Sequence, residues 1–202
     1  MQIINALPAS ILCALPPLVL GSASPRRHKL LAQLGVEFTI AAPEAREIAI
    51  AADPVGTVHH NALAKHVVCR KAHPRAAIIT ADTLVWFDNR LIGKPVHLKE
   101  AATFLRAFSG RTQIIFTAVA LSLPDTDPVT RVVASSATFK VLSEETISTY
   151  LAATRPLDRA GAYDIDENGD LLIASYSGSY TNIMGLPLEE VCDWLTSVVN
   201  SR

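Results

Sequence analysis

The sequence is short of the features that mark several common classes of protein. Its three cysteines, Cys13, Cys69 and Cys192, are odd in number, far apart and form no C-x-x-C pair, so neither a disulfide framework nor a zinc site is indicated and a reducing compartment is expected. Aromatic residues make up only 6 % of the chain and the formal net charge is −1 with scattered basic residues, so nothing reads as a nucleic-acid-binding surface. No apolar run reaches the ~20 residues of a membrane span. The apolar stretch over 11–20 has no preceding Lys or Arg and is interrupted by Pro16 and Pro17. It therefore reads not as a signal peptide but as part of a loose extension, residues 1–18, in front of the first strand of a cytoplasmic protein. Gly93-Lys94 lacks the G-x-x-x-x-G-K-[ST] frame of a P-loop, and Ser24 lacks a G-x-S-x-G elbow. His59, His60, His66, Cys69 and His73 fall on one expected helix, but no recognised ligand spacing joins them into a transition-metal site.

What is present concentrates in residues 19–31, VLGSASPRRHKLL. A short apolar strand runs into a small-residue turn and then a helix, with Ser24 as N-cap, Pro25 at its first position and Gly35 as its stop. Free N–H groups and the positive end of the helix dipole then lie beside Arg26 and Arg27, which suits a phosphate. An ordinary capped helix with solvated arginines carries the same pattern.

Downstream, strands and helices alternate. Strands are expected at 38–42, 76–81, 83–87 and 91–93, and a longer pair at 113–123 and 129–141. Helices are expected at 55–71 and 99–108, from Ser143 to Ala153, and from Pro187 onward. The class is α/β, a mixed sheet with flanking helices, and residues 19–199 read as one domain. Three polar residues stand out. Asp82 ends the apolar run AAIITA, Lys65 sits in a helix otherwise fit for burial, and Lys94 follows a hairpin in the tight Gly93-Lys94-Pro95 segment. An acid and two lysines near an Arg-Arg helix terminus suit a polyphosphate and a divalent metal, while surface salt bridges would use the same residues.

In order along the chain, SASPRRHKLLAQLG, the Glu47 region, Ala64-Lys65, Ala81-Asp82-Thr83, Gly93-Lys94-Pro95, Ser109-Gly110, DRAGAY at 158–163 and GSYTNIMGLPL at 178–188 resemble the Maf-like nucleoside triphosphate pyrophosphatases. The resemblance implies two lobes around a nucleotide-binding cleft, an inosine-triphosphatase-like fold. It also implies cleavage of nucleoside triphosphates between the α and β phosphates, a divalent metal (Mg²⁺ or Mn²⁺), a cytoplasmic location and a homodimer. By the same resemblance Asp82 is the proton acceptor, Glu47 and Asp82 are the acids associated with metal and water, and Ser24, Arg27, Lys65 and Lys94 hold the triphosphate. Arg26 and Thr83 match two positions linked to base choice.

Those two, with AGAY and GSYTNIMGLPL, resemble the branch acting on dTTP and UTP rather than the one preferring 7-methyl-GTP. That branch usually reads GIQ after AGAY, whereas this chain reads Asp164-Ile165-Asp166 and so has Asp166 at a glutamine position. A Gln amide donates and accepts, whereas an ionised Asp only accepts. A base carbonyl left unpaired costs roughly 1–3 kcal/mol, so the exchange predicts weakened or altered base preference. Arg159 stands for the usual Lys and Arg46 for a frequent Asp. Two other readings remain open at this point: the same chemistry on a purine or methylated triphosphate, and a non-catalytic nucleotide-binding regulator of cell division.

Overall fold

The computed structural model describes residues 6–200, so the first five residues of the expected extension lie outside it. Helix α1 (Ala9–Leu12) precedes strand β1 (Leu18–Gly21), helix α2 (Pro25–Ala32) and strand β2 (Thr39–Ala41). Helix α3 (Pro54–Ala72), strands β3 (Ala77–Phe87) and β4 (Arg90–Ile92), and helix α4 (Leu98–Phe108) follow. Strands β5 (Thr112–Ser122) and β6 (Val129–Phe139) lead to helices α5 (Glu144–Ala153) and α6 (Gly169–Leu172). Strand β7 (Ile173–Ser177), helix α7 (Tyr180–Ile183) and helix α8 (Leu188–Asn200) complete the chain.

The sheet is mixed, seven-stranded and ordered β2-β1-β3-β5-β6-β7, with β4 paired to β3 off this path. β1 runs parallel to β2 and β3, and the remaining pairs are antiparallel. Two long strands, β3 and β5, therefore form the spine. Side chains alternate across it, so Asp82 and Thr83 point to opposite faces.

One face carries α3, whose Val58 and Ala62 pack on Leu84, Ala118 and Ala120. On the other face, Leu30, Leu31 and Leu34 at the end of α2 and Leu188, Val191 and Leu195 of α8 bury against Leu20, Ile79 and Val119. Farther along that face, Leu105 and Phe108 of α4 and Ile147 and Tyr150 of α5 surround Phe87 and Phe139 in a separate cluster. The core on that face is thus split, with a polar band about Thr83, Thr117 and Asn182 between its halves.

Three expectations change. Residues 76–81 and 83–87 form not two strands but one, and Asp82 lies at its middle rather than at its end. The ladder to β5 runs unbroken from Ile78 to Trp86, so a polar side chain facing α3 does not interrupt it. The segment before β1 is not loose over its described part, because Leu7 and Ile11 are buried in the cluster that holds α2 and α8. Strand β7 was not anticipated. Its side chains are mostly exposed, and it pairs with β6 along one edge only, so it carries no apolar alternation to read.

The edge of β3 that faces β1 positions the site. β1 pairs with β3 through Thr80, and β4 takes up the same edge only from Val85. Residues 81–84 therefore have no strand neighbour there among the described residues. The turn from β1 into α2 fills the head of that gap. Gly21 is required at its start, since a Cβ would come within 2.5 Å of Cys69 Sγ and Thr80 Cγ2.

Candidate active site

On the α3 face of the gap, Asp82 is buried at 7 % exposure with one partner on each oxygen. Its Oδ1 takes the Lys65 ammonium at 2.6 Å, and its Oδ2 accepts from the Asn61 amide at 3.1 Å. The same Lys65 ammonium reaches Glu47 Oε1 at 3.0 Å, and half of that glutamate is exposed. Asn61 and Lys65 are four residues apart on α3 and so share its inward face. Asn61 also fixes the strand-free loop bearing Glu47, since its Oδ1 accepts from Ile48 N at 2.8 Å and its Nδ2 donates to Ile48 O at 3.1 Å. One helix turn thus gathers two carboxylates onto one ammonium.

At the head of the gap, the N-terminus of α2 is open. Ser24 makes no side-chain capping bond, and the first backbone bond of the helix runs from His28 N to Ser24 O at 3.2 Å. The N–H groups of Arg26 and Arg27 therefore precede the helical ladder. The turn itself is held by Ser22, whose hydroxyl accepts from Ser24 N and from Arg27 Nη1, both at 3.2 Å.

Arg27 faces the opposite side of the sheet from Asp82. Its Nε donates to Gly185 O at 2.7 Å, its Nη1 also to Ala81 O at 2.9 Å, and its Nη2 to Thr83 Oγ1 at 2.9 Å. Burial brings its pKa down to about 10, so the guanidinium remains charged at neutral pH. Four of its five donors thus serve protein acceptors, and Arg27 ties α2, β3 and the segment after α7 together. Thr83 is equally occupied, with its hydroxyl bonded to Thr117 Oγ1 at 2.9 Å and to Gly185 O at 3.2 Å as well as to Arg27.

Arg26 takes a different direction. Its Nη1 donates at 3.3 Å to Asp164 Oδ2, which also receives Arg159 Nη1 at 2.5 Å. Asp164 Oδ1 accepts from the backbone N–H of Asp166 at 2.9 Å, and Asp166 Oδ1 accepts from the Tyr180 hydroxyl at 3.3 Å. Burial first, and the Asp166 carboxylate second, push the Tyr180 phenol up to about 12, which keeps it a donor. Lys94 bonds Asp158 at 3.0 Å on the surface. That contact holds the Asp158 carboxyl below its usual range, helped by the charges of Arg26 and Arg159, so Lys94 lies at the margin of the same basic group.

The residues singled out in the sequence therefore fall into two sets flanking the gap: Asp82, Glu47 and Lys65 on one face, and Arg26, Arg27, Thr83 and Asp166 on the other, with Ser24 between. Asn61 and Asp164 were missed. The i, i+4 spacing of Asn61 with Lys65 on the buried face of α3 is a readable signal. Asp164 shows only as the residue standing where the branch's GIQ has glycine, because its partners at 26 and 159 are joined to it only by the fold.

The donor set bears on metal binding. Asp82 and Glu47 offer hard oxygens, and among the described residues no group of three or more His, Cys, Asp and Glu side chains is placed to hold an ion. Two carboxylates without a third protein ligand fit Mg²⁺ or Mn²⁺ shared with phosphate oxygens and water, rather than a closed structural site.

Residues 17–198 match the family model for Maf-like protein. A dTTP/UTP pyrophosphatase of Symbiobacterium thermophilum is 41 % identical over 180 residues, covering 89 % of this chain and 92 % of that protein. Proteins of the same name from Myxococcus xanthus (42 % identical, 86 % and 88 % covered) and Akkermansia muciniphila (36 % identical, 91 % and 97 % covered) are similar over a like span. With the match spanning both faces of the gap, the chain belongs to the Maf-like protein family.

Proposed function

We propose that this protein is a nucleoside triphosphate pyrophosphatase that hydrolyses dTTP and UTP to the monophosphate and pyrophosphate. The observation that carries this is the convergence of Asp82 and Glu47 on Lys65, beside an uncapped helix N-terminus, in a chain with relatives named for that activity.

The triphosphate lies at the gap, held by the α2 terminus with Ser24, and by Lys65 and Lys94. Arg27 contributes its one remaining donor and the charge that its burial preserves. Asp82 accepts a proton from the attacking water as the water oxygen bonds the α-phosphorus. The bond from that phosphorus to the oxygen bridging to the β-phosphate breaks, and pyrophosphate leaves with the electron pair. Assistance of this kind contributes about 10²–10⁴-fold. Asp82 and Glu47 would hold a divalent metal, which supplies neutralisation of charge on the phosphate oxygens. Arg26 and Asp166 meet the base, and Thr83, its hydroxyl taken by Arg27, acts there through shape. Residues 19–199 work as a single domain. The free thiols of Cys13, Cys69 and Cys192 support a reducing, cytoplasmic setting, and homodimerisation follows from the resemblance alone.

The test is pyrophosphate release from a panel of canonical and modified nucleoside triphosphates with Mg²⁺ or Mn²⁺, beside Asp82→Asn. Release from dTTP and UTP that falls by about 10²-fold or more in the variant is the expected result. Binding without release by the unaltered protein would replace this reading with a regulator, and preference for a methylated purine would replace its substrate.

A further inference from the structure

Asp164 is a carboxylate with 4 % exposure, set between two arginines. Its contacts join Arg26 to Arg159 and to the backbone of Asp166. One oxygen receives both guanidinium groups and the other receives Asp166 N. Its own backbone N–H is fixed by the Tyr150 hydroxyl at 2.8 Å. Arg159 spans the arrangement, with one nitrogen on Asp164 and the other on Glu167 at 2.7 Å. A lysine ammonium has no such fork. Two departures from the family pattern, Asp164 and Arg159, thus meet in one contact.

Arg26 enters with a single nitrogen and leaves 32 % of its side chain exposed. Its other N–H groups have no protein acceptor among the described residues. An exposed arginine would sweep many rotamers, whereas this one is anchored at its tip. Through the same carboxylate it is tied to the backbone of Asp166, which supplies an acceptor.

We infer that Asp164 is a positioning residue for base selection: one carboxylate holds both the Arg26 guanidinium and the backbone N–H of Asp166, so that the donor of the first and the acceptor of the second stand in one set order. This rests on the pyrophosphatase reading above and adds to it. Uracil and thymine present a carbonyl next to N3–H, an acceptor beside a donor. Cytosine presents an amine next to a bare N3, the reverse order. A mobile arginine could satisfy either order by moving, but an anchored one accepts only one. Arg26 thereby supplies the donor that the exchange of Gln for Asp166 removes, and the anchor keeps uridine and thymidine apart from cytidine.

The experiment compares kcat and KM for UTP and CTP in the unaltered protein, Asp164→Asn and Arg159→Lys, with thermal melting as a check on folding. The expected result is a UTP-to-CTP ratio of kcat/KM that falls about tenfold in Asp164→Asn and less in Arg159→Lys, through KM more than kcat. A parallel loss on both nucleotides with the ratio intact would show a purely structural carboxylate and overturn the inference. If Asp164→Asn does not melt cooperatively, Arg159→Lys decides, and an unchanged ratio there overturns it. The same ranking is measured as binding of the α,β-imido triphosphates of uridine and cytidine. A protein that binds these without turning over the natural triphosphates refutes the activity while still testing the anchor.

Discussion

The Lys65 ammonium stands 2.6 Å from Asp82 Oδ1 and neutralises a carboxylate that the sheet buries at mid-strand. Because Glu47 meets the same ammonium, Lys65 occupies the place where a cation would lie between the two acids. Before nucleotide arrives, lysine and metal therefore compete for the same oxygens. Lys65→Met is expected to raise the affinity of the nucleotide-free protein for Mn²⁺ by about tenfold while lowering pyrophosphate release, since a charge partner worth roughly 1.5–3 kcal/mol is gone. Calorimetric titration with Mn²⁺ checks it, and an affinity equal to that of the unaltered protein would sink the competition.

Asn61 binds Asp82 with one amide hydrogen and Ile48 with the rest of its amide, so it sets the distance between the two acids. Asn61→Ala frees the Glu47 loop and leaves Asp82 Oδ2 without its donor. We expect a stability loss of about 1–3 kcal/mol and a rise in the Mg²⁺ concentration needed for half-maximal turnover. Urea unfolding and a Mg²⁺ titration of activity measure the two effects separately. If the metal requirement stays fixed, the loop is held by other means.

Arg27 joins β3, the turn after β1 and the segment after α7 through four hydrogen bonds made from a buried guanidinium. Replacing it with Met deletes the charge and leaves the carbonyls of Ala81 and Gly185 with one partner fewer. The expected cost is about 3–5 kcal/mol of folding stability. That is large enough for the melting temperature to show it in the absence of any nucleotide. A melting temperature within a degree of the unaltered protein would mean that Arg27 serves only the ligand.

Much of this was legible in the chain, for physical reasons that differ from residue to residue. Helix α3 ran from Pro54 to Ala72 against an expected 55–71, because Pro54 and Pro74 punctuate it and Asp53 caps it at Gly56 N. The turn before α2 could be read because capping chemistry is local. Asp82 could be recognised as costly in an apolar run, but not as mid-strand, since the ladder that carries it belongs to β5, some 35 residues on. The engagement of Arg27 and Thr83 was invisible for the same reason. Their acceptors at 81, 117 and 185 are brought in by the sheet and by the bend after α7. Local signals named the residues, and long-range pairing decided which way they face.

His66 provides the last prediction, one about pH. It is buried on α3, with Nε2 at 2.8 Å from Ser122 Oγ, a hydroxyl that also accepts from Arg70. Burial, and then the Arg70 charge, lower its pKa from 6.5 to about 4. The folded state therefore resists a proton that the unfolded chain accepts readily. Its contribution to stability is fully present above pH 6.5 and is lost as pH falls from there toward about 4, where the folded form protonates as well. With screening by solvent, the loss amounts to about 2 kcal/mol. His66→Gln, which keeps a polar side chain but cannot titrate, is expected to flatten the dependence of urea-unfolding free energy on pH between 6.5 and 4, even if it lowers stability at neutral pH. A variant whose stability falls with acid as steeply as that of the unaltered protein would assign the acid sensitivity to the carboxylates instead.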